Sequence, residues 1–122
     1  PASKDWRGSW WSLPSMDTLR SPVASYLLRF NLMKEENEEY LEAANANDLV
    51  EVADALGDML YILAGTIIEH GMQYKIAEVF DEIQRSNMSK LGEDGHPIFR
   101  EDGKVLKGPN YFKPNIGSIL KK

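Results

Sequence analysis

Apolar positions recur with a helical period over three stretches of this chain. Val23, Tyr26, Leu27, Phe30, Met33, Tyr40, Leu41 and Ala44 fall on one face at about 100° per residue, with Glu35, Glu36, Glu39 and Glu42 on the other. The spacing predicts an amphipathic helix that packs its apolar side. Ser21 supplies an N-cap and Pro22 suits the first helical position. The polar run "NAND", Asn45 to Asp48, ends this helix and caps the next. The second helix is expected from about Leu49 to His70, with Gly71 as its C′ residue. Its middle, "MLYILAGTII" from Met59 to Ile68, is apolar almost all round, which predicts a buried central helix. A third helix begins near Gln73 and carries Ile76, Val79, Phe80 and Ile83 along one edge.

Two stretches lack this period. Residues 1–20 mix Trp6, Trp10 and Trp11 with glycine, proline and serine, and read as an irregular arm whose indoles cover the core or a subunit interface. The last thirty residues repeat "EDG" at Glu93 and Glu101 and contain Pro97, Pro109 and Pro114, as expected of two turns in one hairpin-like excursion. With no strand–helix–strand alternation, the expectation is an all-α fold, an antiparallel helical bundle with an irregular C-terminal loop or hairpin. Residues 21–122 are expected to form one domain. Three amphipathic helices in so short a chain leave apolar surface uncovered, which a homodimer or a dimer of dimers would bury.

Charge narrows the picture. Of 122 residues 27% are charged, with a net charge of −5. Residues 100–122 hold six basic against two acidic side chains, a net +4, whereas residues 1–99 hold eight against seventeen, a net −9. An acidic body argues against nucleic-acid binding but suits a small polyanion held between metal ions and lysines. No apolar run approaches the roughly 20 residues of a membrane span. The N-terminus carries no signal-peptide pattern. The absence of cysteine excludes disulfides and Cys-based zinc sites, and suits the cytoplasm.

The carboxylates carry the chemistry. Glu35, Glu36 and Glu39 form E-E-x-x-E, close enough on a helix to converge on one ion. Hard divalent cations such as Mg²⁺ take carboxylate and water oxygens. Clustered glutamates are also common on plain solvated faces. The second helix shifts the balance, because Glu51, Asp54 and Asp58 share a stripe that continues into Ile62 and Gly65. A carboxylate aimed along a core stripe must protonate, pair or bind a metal. Between residues 30 and 74 the only lysine or arginine is Lys34. His70 and His96 lack the Glu-x-x-His spacing of a di-iron site, and His70 suits a helix C-terminus. No nucleophile elbow, P-loop or dinucleotide fingerprint occurs. Further on, Asn87 and Lys90 close the third helix, and Lys104, Lys107 and Tyr111 lie on a glycine-bearing loop. Lysines near a Mg²⁺ site would hold phosphate oxygens.

In these residues the chain resembles the all-α nucleoside triphosphate pyrophosphohydrolases, a superfamily that includes MazG-like proteins, dimeric dUTPases and phosphoribosyl-ATP pyrophosphohydrolase. The likeness rests on "EENEE", "EVADALGDMLYIL" and "EVFDEIQRSNMSK" and covers about residues 27–115. It implies Mg²⁺-dependent cleavage of a (d)NTP between its α and β phosphates, giving a monophosphate and pyrophosphate, with Mn²⁺ as a substitute ion. It also implies metal binding by Glu36, Glu39, Asp58 and Asp54, with Glu35 holding a second ion or orienting the attacking water. The chain departs from the pattern at Ala55, which stands three residues before Asp58 where the family has glutamate. Either Asp54 or Glu51 replaces that ligand, or Glu51-x-x-Asp54 is itself the motif. The arm over residues 1–20 is a second departure. Phosphoribosyl-ATP hydrolysis and a non-catalytic helical dimer that binds nucleotide or protein are the alternatives.

Overall fold

The computed structural model describes residues 23–122, so the tryptophan-rich arm and the Ser21–Pro22 helix start lie outside the described residues. The chain divides into two compact units, with the boundary between Met72 and Gln73.

The first unit is a helical hairpin of α1, Val23–Asn45, and α2, Leu49–Glu69. The turn between them is closed locally. Asn47 has φ 54°, the left-handed conformation that asparagine tolerates. Its N–H donates to the Ala44 carbonyl at 3.1 Å, and the Asp48 N–H donates to the Ala43 carbonyl at 3.0 Å, a Schellman stop. The Asp48 carboxylate then accepts from the Glu51 N–H at 3.1 Å, so one residue ends α1 and caps α2. At the far end Gly71, φ 71°, makes a second Schellman stop through its bond to Ile68 and that of Met72 to Ile67. Gly71 is thus the C′ residue the sequence predicts.

The faces are not those the apolar pattern suggests. Along α1 the buried residues are Arg29, Glu36 and Ala43, spaced by seven, whereas Leu27, Phe30 and Leu41 are exposed. Along α2 Ala55, Ile62 and Gly65 are buried, and Leu56, Leu60, Tyr61 and Leu63 are exposed. The expectation of a buried central helix therefore fails for this chain on its own: Leu60 keeps 67% of its surface. The physical reason is close approach, since alanine and glycine let two helices meet where Phe30 or Leu60 would hold them apart. The stripe from Asp58 to Ile62 and Gly65 does turn inward as expected, with Asp58 half-buried.

The second unit contains α3, Ile76–Met88, a hairpin of β1, Ile98–Phe99, and β2, Val105–Leu106, and the short α4, Ile116–Leu120. The strands are antiparallel with Ile98 opposite Leu106. Both "EDG" segments are turns of the same design. Gly95 and Gly103 take positive φ, and their N–H groups bond Gly92 and Arg100. Asp94 and Asp102 each accept from the backbone N–H two residues on, at 3.0 and 3.1 Å. Ser86, buried on α3, donates to the Phe112 carbonyl at 2.9 Å, and Arg85 lies over the Phe112 ring at 4.4 Å. No helix among the described residues is long and apolar enough to cross a membrane.

Candidate metal centre

The helical hairpin has two unlike edges. On one, Glu39 and Glu42 of α1 face Asp48, Glu51 and Asp54 of the turn and α2 across a cleft of about 490 Å³. Its floor is Ala43 and Ala55, the latter only 2% exposed. No lysine, arginine or histidine lines it among the described residues. Five carboxylates without a counter-charge repel one another, and a hard cation is the ligand their oxygens suit. The donor set therefore fits Mg²⁺ in kind. As the side chains stand, no three acidic or histidine groups among the described residues gather tightly enough to hold an ion.

The expected ligands divide into three groups. Glu39, Glu51 and Asp54 share the cleft. Glu36 and Asp58 lie against the helix interface, Glu36 only 4% exposed and Asp58 half-buried. Glu35 is exposed on α1. Glu42 and Asp48, which the sequence reading does not single out as ligands, complete the cleft wall. Ala55 is packed into the floor of the cleft.

The other edge of the hairpin is a groove of about 330 Å³ bordered by Tyr26, Phe30, Met33 and Leu63, with His70 stacked on Tyr26 at 5.6 Å. The same groove is lined by Arg29, which sequence reasoning missed. Its Nε donates to Thr66 Oγ1 at 3.1 Å and its Nη2 to the Ile62 carbonyl at 2.9 Å. Glu69 stands 3.5 Å from Nε and also accepts from Ser25 Oγ at 2.7 Å. Burial pushes the Arg29 pKa below its usual range, an effect Glu69 partly offsets. The available signal was a lone arginine inside "YLLRFNLM", seven residues before Glu36.

In the second unit Asn87 is exposed on the last turn of α3, and its carbonyl accepts from the Lys90 N–H at 3.1 Å. Gly108 packs directly on the Lys90 and Leu91 carbonyls, where any side chain would collide with backbone. That approach brings Lys90 beside the segment holding Lys107 and Tyr111, whose ring carries the Lys107 ammonium at 4.9 Å. Lys104 is exposed at the end of the second "EDG" turn.

An acidic helical hairpin of this kind defines an all-α class of protein, and comparison with known proteins gives it a family. The sequence model of the family described as phosphoribosyl-ATP pyrophosphohydrolase matches residues 17–87, and the chain belongs to that family. It is 50% identical over 94 residues to the uncharacterized protein L479 of Acanthamoeba polyphaga mimivirus, covering 77% of this chain and 34% of that protein. It also resembles a crystal structure of a candidate NTP pyrophosphohydrolase from Exiguobacterium sp. 255-15, with a TM-score of 0.54 and 38% identity over 62% of this chain and 46% of that one. The chain thus spans about a third of the length of the viral relative and under half of the bacterial chain.

Proposed function

We propose that this chain hydrolyses a nucleoside triphosphate, (d)NTP, to the monophosphate and pyrophosphate in a Mg²⁺-dependent reaction that clears the cytoplasmic nucleotide pool. The observation that carries the reading is the cleft in which Glu39, Glu51 and Asp54 face one another with no basic side chain among them. Family membership and the bacterial neighbour support the same reaction class.

In this reading Glu39, Glu51 and Asp54, with Glu36 and Asp58 beside them, hold Mg²⁺ or Mn²⁺. The bound cation would neutralise charge on the triphosphate oxygens. Glu35, exposed next to Glu36, orients a water molecule and takes its proton as the oxygen attacks the α-phosphorus. The α–β anhydride bond breaks and pyrophosphate leaves with the electron pair. Asn87, Lys90, Lys104, Lys107 and Tyr111 are assigned to phosphate binding. A second copy of the chain covers the apolar edge of the hairpin, where Phe30, Leu60 and Leu63 are exposed.

The test is pyrophosphate release from a panel of NTPs, dNTPs and phosphoribosyl-ATP, with Mg²⁺ and with chelator. Release from one or more nucleoside triphosphates only in Mg²⁺ is the expected result. Release from phosphoribosyl-ATP alone would assign the reaction that the family description names. Silence across the panel would leave a nucleotide- or protein-binding helical dimer.

A further inference from the structure

We infer that Arg29 is a positioning residue for the acidic site: it fixes the register of α1 against α2 and so decides which carboxylates face one another. The inference rests on the proposed metal-dependent reaction for its functional consequence, but its structural half stands separately.

The α1–α2 interface contains little that resists sliding. Among the described residues its buried apolar positions are Ala43, Ala55 and Ile62, with Gly65, so Ile62 is the one large apolar side chain among them. Alanine and glycine surfaces offer shallow ridges, so several registers would pack almost equally well. Directional contacts must choose between them. At the turn, the Asn47–Asp48 stop and cap fix one end of the pairing. Some twenty residues of helix would extend from that single clamp. Near the open end Arg29 supplies the second clamp, with a planar donor fork that reaches both Thr66 Oγ1 and the Ile62 carbonyl while Glu69 closes on its charge. Ser25 on Glu69 extends the same clamp by one turn.

The carboxylates lie between the two clamps. Ala43 shares the cleft floor with Ala55, and Arg29 bonds Ile62 and Thr66, so Glu36, midway between Ala43 and Arg29 on the buried stripe, comes level with the turn from Asp58 to Ile62. A slip by one helical turn is about 5.4 Å. That exceeds the reach of any shared ion, whose oxygen ligands stand roughly 2.0–2.6 Å away. Arg29 is assigned no contact with the substrate. It acts through the placement of Glu36, Glu39, Asp54 and Asp58.

Three variants of the full chain test this: Arg29→Met removes both the fork and the charge, Arg29→Lys keeps the charge without the planar fork, and Thr66→Val removes one acceptor. The chain has no cysteine, so spin labels can be placed through Lys34→Cys and Ala53→Cys, two exposed helix positions. The expected result is a single label distance in the parent, a broadened or displaced distribution in Arg29→Met and Arg29→Lys, and an intermediate one in Thr66→Val. Mg²⁺ binding by calorimetry should weaken about tenfold or more in Arg29→Met, and catalysis should show a raised Mg²⁺ requirement rather than a raised substrate KM. A folded Arg29→Met with the parent distance and the parent Mg²⁺ affinity overturns the inference. If the parent binds no Mg²⁺, the metal-dependent reading fails, and the label distances alone decide the register role.

Discussion

The Arg29 guanidinium donates to the backbone carbonyl of Ile62 across the helical hairpin, at 2.9 Å and with the arginine only 5% exposed. That carbonyl also accepts from Thr66 Oγ1 at 2.8 Å, so one turn of α2 is tied both to itself and to α1. A hydrogen bond to a charged group contributes about 1.5–3 kcal/mol, and a buried partner left behind adds to the loss. Arg29→Met is expected to lower stability by about 2–3 kcal/mol. Urea denaturation followed by far-UV circular dichroism measures it, and a loss below half a kcal/mol would show the bond to be dispensable.

Neutralising the cleft separates function from stability. Asp54→Asn and Glu39→Gln, and equally Glu36→Gln and Asp58→Asn, are expected to cut pyrophosphate release about a hundredfold or more while leaving helicity intact, as expected for groups acting on developing charge. In metal-free buffer Asp54→Asn should melt no lower than the parent, because it relieves repulsion among Glu39, Glu51 and Asp54.

Metal removal gives the complementary result. A ligand bound only by the folded chain stabilises it by about 2.7 kcal/mol at a hundred times its Kd. Mg²⁺ should therefore raise the melting temperature of the parent, and chelator should reverse the rise. The same titration on Asp54→Asn should show little change.

The inter-helix turn makes a backbone prediction. With φ at 54°, Asn47→Gly should be close to neutral, whereas Asn47→Val should cost about 1–2 kcal/mol through the Cβ–carbonyl clash of the left-handed region. Asp48→Ala should cost about 1 kcal/mol, because the Glu51 N–H loses its acceptor. Thermal melts of the three variants rank them.

A pH effect follows from Glu82. Hydrogen bonds from Arg85 first, and then from the Asn115 N–H at 2.7 Å, hold its carboxyl below the ordinary value of 4.5. A depressed carboxyl pKa adds stability above the unfolded value, and that stability is lost as the pH falls through the folded one. Below about pH 4.5 the parent should therefore lose melting temperature faster than Glu82→Gln, and a parallel decline in both would exclude this contribution.

Much of the fold was legible because capping is a local matter. Asn47, Asp48 and Gly71 announce the ends of α1 and α2 whatever those helices pack on, and each "EDG" carries its own turn in an aspartate acceptor and a positive-φ glycine. The acidic edge was legible as well, since Glu51 and Asp54 need only one helical turn to line up. The choice between Asp58 and the Glu51–Asp54 pair was not. It turns on how far α1 reaches along α2, and periodicity within one helix holds no information about register between two.

The sequence by itself determined three helices, the stops and cap at Asn47, Asp48 and Gly71, two aspartate–glycine turns and a run of carboxylates with few bases near them. Each follows from short-range sterics and hydrogen bonding. Only the tertiary structure decided which faces meet. The apolar side of α1, with Phe30 and Leu41, stays outward, while Arg29, Glu36 and Ala43 turn in against Ala55, Ile62 and Gly65. Close approach of two helix backbones selects small residues and directional polar contacts over large apolar ones, so the face with the greater hydrophobicity is not the face that packs first.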